Sequence, residues 1–176
     1  MKYLSSILLF ISISICSQIM EDTLNEIKKV FPESISITHS KYKISEEFAK
    51  TIQNNIKQKF FRPEVNLWII TNKDSLKYYG VLDNVKGKSM PITFLAIFNH
   101  SAAIYHSAII KYREPYGGEI KNRNWLNQFI AYTDSSKYKI GDDISGITGA
   151  TISVHSVTKG IRKLTYLIKE IIKYNE

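Results

Sequence analysis

Cysteine is nearly absent: the 176 residues contain one, Cys16. A single thiol makes no intramolecular disulfide and no metal-thiolate cluster. It also sits at the end of an N-terminal stretch that export would remove, which would leave no thiol for nucleophilic catalysis. Histidine is sparse too. His39, His100, His106 and His155 are scattered, with no partner at metal-ligand spacing, and no paired carboxylates suggest general acid–base work. Acidic residues are in deficit, 16 against 24 Lys and Arg, for a net charge of +8. The lysines are spread over every segment, so the charge reads as general basicity and not as a nucleic-acid stripe. The densest local run, Arg162-Lys163, is expected on the solvated face of a helix. Repeats and low-complexity tracts are also missing, and the length suits one compact domain.

What is present begins with a charged start, Met1-Lys2, and a stretch from Leu4 to Cys16 that is apolar or hydroxylic. That run is short of the roughly 20 residues a spanning helix needs and has the form of a secretory signal. Ser14 and Cys16 supply small residues for cleavage after Cys16. The chain therefore divides into a signal peptide (1–16), N-terminal helices and first strands (17–85) and a core (86–176). An exported protein is expected, periplasmic or membrane-associated on the outer side of the inner membrane. A retained anchor and a lipidated Cys16 are the alternatives, the second disfavoured by Ile15 immediately before the cysteine.

Met20, Leu24, Ile27 and Phe31 mark an amphipathic helix stopped by Pro32. Alternation from Ser34 to Ile44 reads as a strand or a bent pair of strands. Ser45 caps a second helix, with Glu46 and Glu47 in its first turn and a stripe of Phe48, Ile52, Ile56 and Phe60. Four β-branched and aromatic runs follow, 65–71, 76–82, 92–99 and 102–112. Turns at 72–74, 84–88 and 99–101 would join them as hairpins, which makes the sheet antiparallel. The run Ile92 to Asn99 is too apolar for a wet face, so helices should cover one side. A short helix over 122–130 carries Trp125 and Phe129, four apart and expected in the core. From about Thr151 the spacing of Val154, Val157, Ile161, Leu164, Ile168 and Ile171 predicts a long C-terminal helix. The fold class is α+β: an antiparallel sheet covered by helices, in a single domain.

Two glycine-bearing loops interrupt this pattern. Gly117-Gly118 separates the last strand from the short helix, and is either a plain turn or a place where backbone lies against a planar ligand; a Cβ at either position is expected to push that backbone away. Thr148-Gly149-Ala150-Thr151-Ile152-Ser153 runs into the long helix. No carboxylate lies between Asp143 and Glu170 to compete for the positive end of its dipole. The hydroxyls of Thr148, Thr151 and Ser153 either cap the helix or surround an anion there.

The hexapeptide 148–153 resembles the [Ser/Thr]-Gly-Ala-Thr-x-[Ser/Thr] signature of FMN-binding domain proteins, the family that contains the periplasmic flavin subunits of Rnf and Na+-translocating NADH:quinone reductase complexes. A second block, Arg113-Glu114-Pro115-Tyr116-Gly117-Gly118-Glu119-Ile120 followed by Trp125-Leu126-Asn127-Gln128-Phe129, is similar to that family's Glu-x-Pro-Gly loop and Trp/Phe-Leu-x-Gln-Phe helix. The resemblance runs from Pro91 to Leu167. It implies FMN as cofactor, attached through its phosphate to the final hydroxyl, Ser153, with Thr151, Thr148, Gly149 and Ala150 around it. It also implies that Glu114, Pro115, Tyr116, Gly117 and Gly118 lie beside the isoalloxazine ring. A flavin transferase of the ApbE type would load the cofactor from FAD, and the protein would be a redox carrier between a donor and an acceptor, with a membrane redox complex as one candidate. Two departures stand out: Tyr116-Gly117 replaces the usual Gly-Leu, and Ser145 occupies the place of the usual Asp, with Asp142 and Asp143 displaced upstream. A non-covalent flavin-binding or sensory module, and a cofactor-free basic interaction domain, are the remaining readings.

Overall fold

The computed structural model describes residues 17–175; the proposed signal peptide lies outside them. Residues 17–30 are helical (α1), followed by β1 (Ser36–Lys43) and α2 (Glu46–Ile56). Strands β2 (Glu64–Thr71), β3 (Lys77–Lys86), β4 (Pro91–Phe98) and β5 (Ile104–Lys111) come next. Two 3-10 turns, Gly118–Lys121 and Asn127–Phe129, flank the single turn of α3 (Arg123–Leu126), and α4 (Thr151–Asn175) closes the fold. The five strands lie in chain order in one antiparallel sheet. The fold is α+β.

Side-chain alternation sends each strand's apolar residues to two faces. On one, Phe94, Ala96 and Phe98 of β4 pack with Val157, Ile161, Leu164, Ile168 and Ile171 of α4. On the other, Leu95 and Ile97 pack with Ile27 and Phe31 beside Trp68 and Ile70. Helices therefore cover both sides of the sheet and not one, because α1 is a second lid. This explains why seven of the eight residues of β4 are buried.

Four local expectations are corrected. Helix α2 stops at Ile56, since Lys57 turns left-handed (φ 58°) and bonds back to Gln53; Phe60 lies in the following loop. β3 continues through Asn84, which accepts a hydrogen bond from the Thr93 hydroxyl at 2.7 Å, so the hairpin closes at Gly87–Met90. The short helix near Trp125 is one α-turn between two 3-10 turns. Lys163 is fully buried, not solvated: its ammonium lies 2.7 Å from Asp83 on β3, donates to the Lys59 carbonyl at 3.0 Å and sits over the Phe60 ring. Nearby, α4 is pressed against the sheet at Gly160, where a Cβ would stand 2.6 Å from Val85 and 2.9 Å from Phe94.

Candidate functional site

The start of α4 is set by Gly149, whose φ of 78° reverses the chain, and by Ala150, whose carbonyl accepts the first helical bond from the Val154 amide at 2.9 Å. Alanine there has no oxygen with which to cap the helix. Helix α2 shows the contrast, since its Ser45 hydroxyl accepts from the Phe48 amide at 3.2 Å. At α4 no hydroxyl of Thr148, Thr151 or Ser153 accepts from the helix, so simple capping does not explain them. First-turn amides 151–153 keep their donors for an outside acceptor, at the positive end of a 25-residue helix.

The three hydroxyls diverge. Thr148 and Thr151 are exposed, whereas Ser153 is buried at 5 % and faces the sheet. Its Oγ lies 3.1 Å from the phenol oxygen of Tyr112, just beyond the end of β5. The same phenol donates to the Tyr116 carbonyl at 2.5 Å. Gly117 follows with φ 78°, and a Cβ there would stand 2.8 Å from the Ala150 Cβ and 2.9 Å from the Tyr112 hydroxyl. Gly118 differs: its Cβ would meet nothing nearer than Lys121 at 3.9 Å, and its φ is ordinary. The expectation of equal constraint at the two glycines is corrected, because only Gly117 is pressed against α4.

The hairpin tip after β3 forms the opposite wall. Glu114 accepts from the amides of Met90 and Ser89 at 2.9 and 2.7 Å, and these bonds hold its carboxyl below the usual range. Glu114 therefore faces the hairpin as a tether. Between these walls lies a cavity of about 480 Å³, lined by Lys88, Ser89, Tyr112, Glu114, Pro115, Tyr116 and residues 149–153. It is larger than four other clefts, of about 320 to 410 Å³, on the described surface. Rings, proline and Ile152 offer apolar contact, and the uncapped amides of residues 151–153 offer anion contact. Such a cavity suits an aromatic ligand that carries a phosphate.

Of the residues singled out by sequence, the cavity wall includes Gly149, Ala150, Thr151, Ser153, Glu114, Pro115 and Tyr116. Gly117 backs it through Ala150; Gly118, Thr148 and the exposed His155 do not line it. Lys88, Ser89 and Ile152 were not anticipated, and neither was the hydroxyl contact of Tyr112. Sequence carries no mark of those contacts, since Tyr112 and Ser153 are 41 positions apart.

The second block of the resemblance holds the segment just before the hexapeptide. Trp125 Nε1 donates to the Ser145 carbonyl at 2.8 Å, and the Ser145 amide donates to Gln128 Oε1 at 2.8 Å. Asp143 accepts from the Lys139 amide and Asp142 pairs with the Lys139 ammonium, so neither acid reaches the cavity. Away from this site, buried His106 touches Glu26 of α1 and Arg123 of α3. Among the described residues no His, Cys, Asp and Glu cluster could hold a metal ion, and no helix is long and apolar enough to cross a membrane.

The family model for the FMN-binding domain matches residues 87–165. That range starts at the hairpin tip and ends within α4, so it contains every residue lining the cavity. Comparison with curated proteins finds no match.

Proposed function

We propose, from the premise that residues 87–165 are an FMN-binding domain and FMN is the cofactor, that the protein is an exported electron carrier with FMN joined to Ser153. The cavity fits the group on three counts: its volume, its apolar rings beside Pro115, and a helix start with no side-chain cap. Amides of residues 151–153 and the dipole of α4 would hold the phosphate, with Thr151 donating to it from the rim. Tyr112, Pro115 and Tyr116 would flank the ring system, and Glu114 would fix the hairpin wall. Bound FMN supplies the one- and two-electron chemistry, while the protein supplies position and electrostatics.

The observation that carries the covalent reading is the buried Ser153 hydroxyl, turned from its helix toward Tyr112 at the cavity wall. In the loading step Ser153 Oγ bonds to the FMN phosphorus of FAD, the pyrophosphate bond breaks, AMP leaves and the serine proton is released. The step is redox-neutral and is assigned to a flavin transferase of the ApbE type. Export would bring the protein to the outer side of the inner membrane, where a donor and an acceptor, or a membrane redox complex, would exchange electrons with it. The pattern of residues 1–16 supports that location.

Peptide mass spectrometry after co-expression with such a transferase tests the assignment: FMN is expected on the fragment containing Ile152 to Lys159. Ser153→Ala should abolish covalent FMN in a folded domain, and Thr151→Ala should reduce it. Flavin on Thr151, or retained covalently by Ser153→Ala, overturns the assignment. One observation favours a second reading, FMN held without an ester: Ser145 replaces the family's acid, and Asp142 and Asp143 are engaged at Lys139.

A further inference from the structure

Hydroxyls within helices ordinarily bond back to a carbonyl three or four residues earlier. Two in this protein do so: Thr165 donates to Arg162 at 2.7 Å within α4 itself, and Thr23 donates to Ile19 at 2.6 Å. Ser153 and the buried Thr158, also in α4, do not; Thr158 finds no partner, whereas Ser153 contacts the Tyr112 phenol at 3.1 Å.

The direction of that contact follows from counting protons. A tyrosine hydroxyl has one, and the Tyr116 carbonyl can only accept, so the 2.5 Å bond to Tyr116 uses it. Ser153 must therefore be the donor toward Tyr112. Its proton points at the phenol, and its lone pairs face away from it. The phenol is itself fixed, since Tyr112 directly follows β5 and its neighbour Arg113 donates to the Pro91 carbonyl and the Thr93 hydroxyl at 2.8 and 3.1 Å.

We propose that Tyr112 is a positioning residue for the esterification of Ser153: its phenol, locked onto the Tyr116 carbonyl, draws the serine proton to itself and holds the Oγ lone pairs free for phosphorus. This rests on the reading that Ser153 carries the flavin. Tyr112 is not the base. Accepting the serine proton would require it to pass its own to an amide carbonyl, which is too weakly basic, so the proton leaves to the transferase or to water as the Oγ–phosphorus bond forms and AMP departs. Without the phenol oxygen, Ser153 would fall back on the Gly149 or Ala150 carbonyl, as Thr165 and Thr23 do on theirs, and the nucleophile would turn away.

The test uses the exported chain without flavin, a purified flavin transferase of the ApbE type, and FAD, with covalent flavin read by intact mass and in-gel fluorescence. Tyr112→Phe should lower the maximal rate of modification by about 10- to 100-fold, the range a misplaced reactive group typically costs. FAD half-saturation and melting temperature should stay near wild type. Tyr174→Phe, which removes an exposed hydroxyl near the far end of α4, outside the cavity, should be modified at the wild-type rate. A wild-type rate for Tyr112→Phe, with flavin on Ser153, overturns the positioning role and leaves the attachment reading standing. Wild-type protein that takes no covalent flavin overturns both. Independently of any variant, the Hα–Hβ couplings of Ser153 in unmodified protein should report one χ1 rotamer; averaged couplings overturn the proposal.

Discussion

Replacing Gly117 by alanine adds one methyl group where two elements meet. The backbone there has φ 78°, which costs an L-residue about 1–2 kcal/mol. The new Cβ would also stand 2.8 Å from the Ala150 Cβ and 2.9 Å from the Tyr112 oxygen, well inside contact distance. Relief requires the 114–117 loop to retreat from the start of α4, and overpacking of this kind costs about 1–3 kcal/mol. The sum is a loss of about 2–5 kcal/mol, read as a lower urea midpoint at unchanged slope. Because the displaced partners are Ala150 and Tyr112, the cavity should loosen too, weakening FMN binding by about tenfold or more, each tenfold corresponding to about 1.4 kcal/mol. Gly118→Ala is the internal control: with ordinary φ and open space around its Cβ, it should stay within about 0.5 kcal/mol of wild type with unchanged FMN affinity. Equal effects at the two positions, or a Gly117→Ala protein indistinguishable from wild type, would refute the reasoning.

Asp83→Ala leaves the Lys163 ammonium buried without its counter-ion and should cost about 3–5 kcal/mol in urea unfolding. The hydrogen bond from His106 holds the Glu26 carboxyl below its ordinary value of 4.5, so its contribution to stability is complete above that value and is lost as pH falls through the lowered one. Urea midpoints measured down this acid limb should fall less steeply for Glu26→Gln than for wild type. The exported protein should begin near Ser17, and N-terminal sequencing that finds Met1 instead would move the protein to an anchored arrangement.

The parts of the fold legible in the sequence are those governed by local period. Helix α4 showed in the three-or-four spacing of Val154 to Ile171, and the strands showed in β-branched runs between turn residues. Contacts between distant residues left no such trace. Lys163 reads as a surface charge until Asp83, on another element, is brought beneath it. Lys57 ended α2 without glycine or proline, in a left-handed conformation open to any residue at moderate cost. At the cavity, the glycine-bearing loops were legible because glycine marks backbone that must do something unusual. Which of Gly117 and Gly118 mattered was decided by Ala150, more than thirty residues later. The tie from Glu114 to the hairpin tip and that from Tyr112 to Ser153 are likewise long-range.

The buried pair of Lys163 and Asp83 works with Gly160 as a detent on α4. A helix whose contact face is a smooth stripe of Val, Ile and Leu could slide one turn along the sheet at small cost in apolar contact, a shift of about 5.4 Å. Here such a slide would drag a charge from its buried counter-ion and drive a bulkier residue than glycine onto Val85 and Phe94. Ser153 lies ten positions upstream, about 15 Å along the same rod. The helix is in this sense a ruler: a notch at its middle fixes where its tip falls, and the serine is set beside Tyr112 by charges that never touch the cavity.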